Sequence, residues 1–340
     1  MAISYTSPTT IYGPDLVPVL TEIFFLNKTV SGDYVTFNDN MKAGTIITES
    51  TVSVTAQAYT GAALSSSGSI ALTDRAVTLT KLEYKQTFLD ETIRTSRMNQ
   101  TMKKGAWEIE SNEFNTKVLG MYAPKVSADA EILFWGGITS TTKTAIAGLT
   151  PGAGQGSITA AAQTAVAALT AGLVDGIFAK AFYDNGAIGS YIKVTGTTVT
   201  SSNIAAQCAL IYAAIPAKCL SVMDTDPVYI YCPREWKQLA RIANNAVGAA
   251  QQINFHFDGD GVDAKCYYNG IEMVFVPVPN QLWAYANNKS AVMWNSDSTD
   301  DVNKVDIGKV ANDGDTRYIR SIYTIHTHIA HASNGVLYGG

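Results

Sequence analysis

The chain has 340 residues, a formal charge of −5 and 16% charged residues, where roughly 25% is usual for a globular protein. That length allows a large core and two or three domains. No run of Lys or Arg occurs, which argues against tight electrostatic binding of nucleic acid, and so few charges suit a protein that hides much of its surface in an assembly.

No secretory leader is expected, because the first basic residue is Lys28 and the apolar run Ile23-Phe24-Phe25-Leu26 is too short. No stretch reaches the roughly 18 uninterrupted apolar residues of a membrane span. Cys208, Cys219, Cys232 and Cys266 form no CxxC pair, so buried, reduced thiols are expected.

Residues 1–43 read as an irregular arm, broken by Pro8, Pro14 and Pro18. Leu20, Ile23, Phe24, Phe25 and Leu26 are more apolar than a solvated tail requires, so the arm is expected to lie against other protein. Residues 45–55 and 77–85 alternate apolar and polar, with GAALSSSGS (61–69) between them. They predict a long hairpin over 44–85. A two-stranded ribbon alone is marginal in water, so it needs a partner surface.

Trp107, Phe114, Val118 and Met121 keep one stripe apolar and predict a long helix over 99–134. Pro124 should kink it; Val126, Ile132 and Leu133 resume the pattern, and Gly136-Gly137 ends it. A helix of about 30 residues is about 45 Å long and needs an extended support. A Gly/Thr/Ser linker (139–156) and one helix (157–183) follow. After them come a strand (191–194) and a helix capped by Asn203 that puts Ile204, Cys208, Ile211 and Ile215 on one face. Val228 to Cys232 reads as a buried strand. Pro233 then opens a helix with Trp236, Leu239 and Ile242 facing one way. Asn269-Gly270 between two apolar runs predicts a tight hairpin. Strands at 290–294 and 305–310 and a long one at 317–331 precede a Gly-rich end.

This order of elements resembles the major capsid proteins of tailed double-stranded DNA bacteriophages, whose shell fold is shared with encapsulins and the herpesvirus capsid floor. The likeness rests on KLEYKQTFLDETIR leaving the hairpin and SADAEILFWGG closing the long helix. VYIYCPREWKQLARIANN, YNGIEMVFVPVP and AVMWNSDSTDDVNKVDIGKV extend it along nearly the whole chain. The resemblance implies an α+β fold with an N-terminal arm (1–43) and an extended β-hairpin loop (44–85). It implies a peripheral domain with a spine helix (86–140 and 300–340) and an axial domain (141–299). It also implies a structural, non-enzymatic protein of the virion, made in the bacterial cytoplasm, that assembles with itself into pentamers and hexamers of an icosahedral shell. Partners expected on that basis are a portal, a separate scaffolding protein and a cement protein. Packaged DNA would be touched only weakly, and no membrane is involved. Some relatives lock neighbours with a Lys–Asn isopeptide bond from the extended loop. Residues 43–80 contain no Lys, so no such link is expected. Nor is a fused scaffolding segment, since residues 1–43 carry few charges and no heptads.

Other readings of the residues are weaker. DGDGVD (258–263) lacks the ligands of a calcium loop at its fifth and twelfth positions, Val262 and Asn269. SDSTDD (296–301) reads as a polar loop, and PGAGQG (151–156) has no GK[ST] after it. Trp236 with Arg234 and Lys237 fits an amphipathic helix better than a base-stacking patch. Three of the four histidines fall in HTHIAH, His326, His328 and His331. On a strand His326 and His328 share a face and His331 does not, while a catalytic zinc needs three protein ligands. No catalytic, cofactor-binding or metal-ligating residue is therefore assigned, and no cofactor is expected. An intersubunit or pH-sensitive contact is the role left to the pair. The alternatives are an encapsulin-like compartment and a metal-dependent enzyme using His326 and His328.

Overall fold

A computed structural model describes residues 9–11, 28–54, 68–89, 112–149, 160–183, 192–246, 255–259, 264–278, 283–297, 304–310 and 316–339. The strands are β1 (Thr9–Ile11), β2 (Thr36–Asn38), β3 (Ile46–Val54), β4 (Gly68–Ala76), β5 (Thr80–Leu89), β6 (Ile192–Thr195), β7 (Val228–Pro233), β8 (Phe255–Asp258), β9 (Lys265–Tyr268), β10 (Ile271–Val276), β11 (Trp283–Asn288), β12 (Val292–Asn295), β13 (Lys304–Lys309), β14 (Thr316–Ile329) and β15 (Val336–Gly339). The helices are α1 (Lys28–Ser31), α2 (Asn112–Gly136), α3 (Ser140–Ala147), α4 (Ala160–Ala168), α5 (Ile177–Phe182), α6 (Ile204–Ala214), α7 (Ala217–Leu220) and α8 (Arg234–Ala246).

Two large sheets organise these elements. One runs β1-β13-β14-β12-β2, with β5 also paired to β14; the other runs β6-β15-β11-β7-β10-β9-β8. The seven-stranded sheet is covered on both faces. Ile230 and Cys232 of β7, with Ala284 and Ala286 of β11, join a core under α6 and α8. Tyr231 and Tyr285, from the same strands, point to the opposite core, shared with α2 and the six-stranded sheet. This double burial leaves β11, WAYANN, without an exposed position and hides its period-two signal.

The end of α2 locks the two sheets together. Phe134 stacks on Trp294 of the six-stranded sheet at 4.5 Å between ring centres, and Trp135 meets Tyr231 of the seven-stranded sheet at 4.7 Å. The chain then turns at Gly137 and passes Gly176, which donates its N–H to the Gly137 carbonyl at 2.8 Å. A Cβ on Gly137 would come within 2.5 Å of two backbone oxygens, so only glycine permits this approach.

Several expectations need correction. The strand after the ribbon tip is β4, in the small-residue stretch and its sequel, and it pairs with β3 from Ile46↔Ala76 to Val54↔Gly68. The stretch expected as the second ribbon strand is largely β5, which pairs with β14 from Leu89↔Thr316 to Thr80↔Ile325. Residues 80–85 therefore belong to the large sheet, where Leu82 and Tyr84 find apolar cover that the ribbon lacks. The helix expected over 157–183 is broken into α4 and α5. Asp175 lies in the break, and its carboxylate accepts from the Thr139 N–H and the Thr142 hydroxyl, both at 2.7 Å. It thereby holds the start of α3, a helix inside the expected linker that is capped by the Thr139 hydroxyl accepting from the Thr142 N–H. Met121, 57% exposed, and Ile132 lie off the buried stripe of α2, which is Val126, Ala130 and Phe134. Met121 is about 140° around the helix from Val126. The buried stripe of α8 is Trp236, Ala240 and Ala243, with Ile242 exposed. Strand pairing also crosses the expected domain boundaries. β15 joins the seven-stranded sheet beside β11 and β6, while β12 and β2 join β14. Hydrogen-bonded neighbours, not chain order, decide these memberships. The Asn269-Gly270 turn is as expected, with φ of 47° and 84°. All four cysteines are free and buried.

Candidate functional site

The histidines resolve into separate environments. His326 and His328 lie on β14, their ring centres 6.1 Å apart. His331 is exposed beyond the strand end, in a left-handed conformation, and His256 lies on β8, the far edge of the other sheet. His328 is 3% exposed, so both faces of β14 are covered at this end. Among the described residues no group of three His, Cys, Asp or Glu side chains is placed to hold a metal ion.

His326 has a structural task. Its Nδ1 lies 3.0 Å from the Thr78 carbonyl oxygen. A carbonyl only accepts, so Nδ1 carries the proton. Burial, then the nearby Lys180 cation and His328, push its pKa down to about 3. The ring is thus neutral through the physiological range, and the pH-sensitive contact expected of this pair does not belong to His326. Thr78 lies between β4 and β5, just where the chain leaves the ribbon and enters the sheet. The Thr80↔Ile325 pair is the last rung of that ladder, and the imidazole adds a tie beyond it. Arg75 Nη1 reaches the Ile329 carbonyl at 3.4 Å, and the Val77 N–H donates to Thr45 at 2.8 Å. HTHIAH is therefore the anchor of the ribbon's root.

The ribbon itself is the distinctive surface. In an antiparallel pair, directly opposed residues share a face. One face carries Ile46 with Ala76, then Thr48 with Asp74, whose carboxylate accepts from the Thr48 hydroxyl at 2.6 Å, then Leu72 and Ile70; Ile47 with Arg75 lies on the other. Ile46, Ile70 and Leu72 are 60%, 71% and 68% exposed. One side of β3–β4 thus exposes three large apolar side chains around the Thr48–Asp74 pair, and among the described residues neither strand pairs with either large sheet. The apolar arm segment 20–26, the calcium-like residues 260–263, the SDSTDD residues 298–301 and PGAGQG lie outside the described residues. Asp297 is buried and bonded to Lys42 at 3.0 Å. Trp236 is fully buried against Tyr338 at 5.7 Å, as a core residue of α8.

Sequence reasoning missed Arg75, Thr78 and Val77 as root residues. Val77, 2% exposed between exposed neighbours, gave only an apolar position in an alternating run, and no local pattern marks a carbonyl as a histidine's partner.

No protein-family model matches the chain, and no curated protein sequence matches it. Solved structures do. The satellite phage P4 procapsid including its size determination protein aligns over 98% of this chain and 92% of that one, with TM-score 0.55 and 11% identity. The capsid of a native gene transfer agent (GTA) particle aligns over 100% and 96%, at 0.52 and 10%. The chain has the α+β capsid-shell fold. The cyanophage A-1(L) capsid agrees, over 99% of this chain and 95% of that one, at 0.50 and 12%.

Proposed function

We propose that this chain is the shell-forming protein of a phage-type capsid, many copies of which close around packaged DNA. The observation that carries the reading is the β3–β4 ribbon. A two-stranded ribbon is marginally stable at best in water by itself. Covering Ile46, Ile70 and Leu72 stabilises it by on the order of 1–2 kcal/mol for each side chain. A neighbouring copy in a ring is the cover that capsid architecture supplies, and head-to-tail contacts around a rotation axis close into pentamers and hexamers. The six-stranded sheet with α2 acts as the peripheral region and the seven-stranded sheet as the axial one. Residues 43–80 contain no Lys, so the contacts between copies are non-covalent. A portal, a separate scaffolding protein and a cement protein complete the proposed assembly.

Electron microscopy of the purified chain tests this. Rings or closed shells are expected. A chain that stays monomeric at all protein and salt concentrations would sink the reading. Deleting residues 60–70 should leave a folded monomer and abolish particles.

A further inference from the structure

We infer that one ordered water is held between the Asn295 amide and the His326 ring, where it completes a polar row that joins the two legs of the ribbon's root. The inference goes beyond the assembly reading and does not depend on it. The row crosses the six-stranded sheet. Asn38 of β2 lies beside Asn295 of β12, and Asn295 lies directly opposite His326 of β14. Opposed residues share a face. Asn38 Nδ2 donates to Asn295 Oδ1 at 2.8 Å, and the His326 Nδ1–H donates to the Thr78 carbonyl at 3.0 Å. Asn38 precedes the first ribbon strand and Thr78 follows the second.

Between these two bonds stand a donor and an acceptor that match. Asn295 Nδ2 and His326 Nε2 are both buried atoms, and among the described residues neither has a hydrogen-bond partner. Asn295 as a whole is 0% exposed. The bond to Asn38 turns its Oδ1 toward β2, which leaves Nδ2 on the side of β14. The amide nitrogen only donates; with Nδ1 protonated, Nε2 only accepts. That lone pair persists through the physiological range, because the buried ring stays neutral. Opposed Cβ atoms in such a ladder are about 4.5–5.5 Å apart. Two hydrogen bonds of about 2.8 Å through one oxygen span much the same distance. Water serves both ends at once, accepting from Asn295 and donating to His326. A metal ion does not, since it needs lone pairs and Asn295 presents N–H. Thr324 and His328, on the same face of β14, are 1% and 3% exposed, so bulk water is kept off the row. Without a partner the two atoms would bear the desolvation cost of unmet polar groups, and a held water is the usual relief.

Density from particles or crystals, at a resolution that shows ordered waters, tests the inference. A single peak within about 3.2 Å of both Asn295 Nδ2 and His326 Nε2 is expected. Direct contact between the two side chains, a side chain of a second copy in that position, or no peak would overturn it. A double-mutant cycle reads the same link in solution by urea unfolding. Asn295→Leu also loses the bond to Asn38, and His326→Leu the bond to Thr78, but both losses cancel in the cycle. The double variant should shift the unfolding equilibrium less than the product of the single shifts, by about three- to tenfold. Independent, multiplicative shifts would mean that nothing joins the two side chains, and would overturn the inference. The density needs no variant, so it decides even where a substitution prevents folding.

Discussion

The β3–β4 ribbon and the strand β14 have similar alternating sequences and opposite fates. β14 alternates through TRYIRSIYTIHTHI and is paired on both edges, with β5 along one side and β13 then β12 along the other. Its end is buried on both faces: Thr327, His328 and Ile329 are all 3% exposed or less. The ribbon alternates through IITESTVSV and GSIALTDRA, and its Ile46, Ile70 and Leu72 remain exposed. Alternation therefore says which residues share a face and nothing about what lies over that face. The difference is one of neighbours. β14 has the hydrogen-bonding edges and aromatic partners of its own chain, such as Tyr84 stacked on Tyr323 at 5.6 Å. Among the described residues the ribbon pairs with nothing but its own second strand.

The comparison can be broken from the core side first. Trp135 is fully buried, touches Tyr231 and donates to the Thr29 hydroxyl at 3.1 Å. Trp135→Ala should cost about 3–5 kcal/mol of monomer stability, measured by urea unfolding at low protein concentration. The ribbon should respond the other way. Ile70→Ser with Leu72→Ser should leave that unfolding curve within about 0.5 kcal/mol of wild type, while sedimentation shows particle yield reduced about tenfold or more. A large loss of monomer stability in the ribbon variant would mean that the chain itself covers the apolar face.

His326 sharpens the contrast at the junction of the two regions. Its folded pKa of about 3 lies below the roughly 6.5 of an unfolded imidazole. Between those values the unfolded chain binds the extra proton. The contribution is therefore fully present above about pH 6.5 and declines as pH falls toward 3, by at most about 1.4 kcal/mol per pH unit. His326→Gln should flatten the decline between pH 7 and 5 in urea midpoints. An identical slope in the variant would show that the ring is not buried neutral. The smallest effect belongs to the tight hairpin. Gly270 has φ of 84° with open space around its Cβ direction, so Gly270→Ala should cost only backbone strain, about 1 kcal/mol, in the same assay and without loss of particles.

Much of the architecture was legible in the chain itself, because it rests on local rules. Asn269-Gly270 permits positive φ at both turn positions, and the tight turn followed. Ile204, Cys208 and Ile211 recur at helical spacing, and α6 buries all three. The order ribbon, long helix and returning strands also survived as the order of the described elements. Tertiary structure alone decided the rest. The partner of β5 is β14, more than two hundred residues away, and no local pattern distinguishes it from β3. β11 is buried on both sides and carries Asn287 and Asn288, so period-two reading passes over it. Asp175, in the break between two helices, ties itself to Thr139 and Thr142 at the start of another helix, across some thirty residues of chain. HTHIAH suggested a metal by composition. Its meaning depends on Thr78, brought to His326 only when the ribbon's root meets the end of β14. Backbone propensity and side-chain period act over a few residues. Edges, caps and cleft walls are made by groups distant in the chain, and their energies exist only after the fold has brought them together.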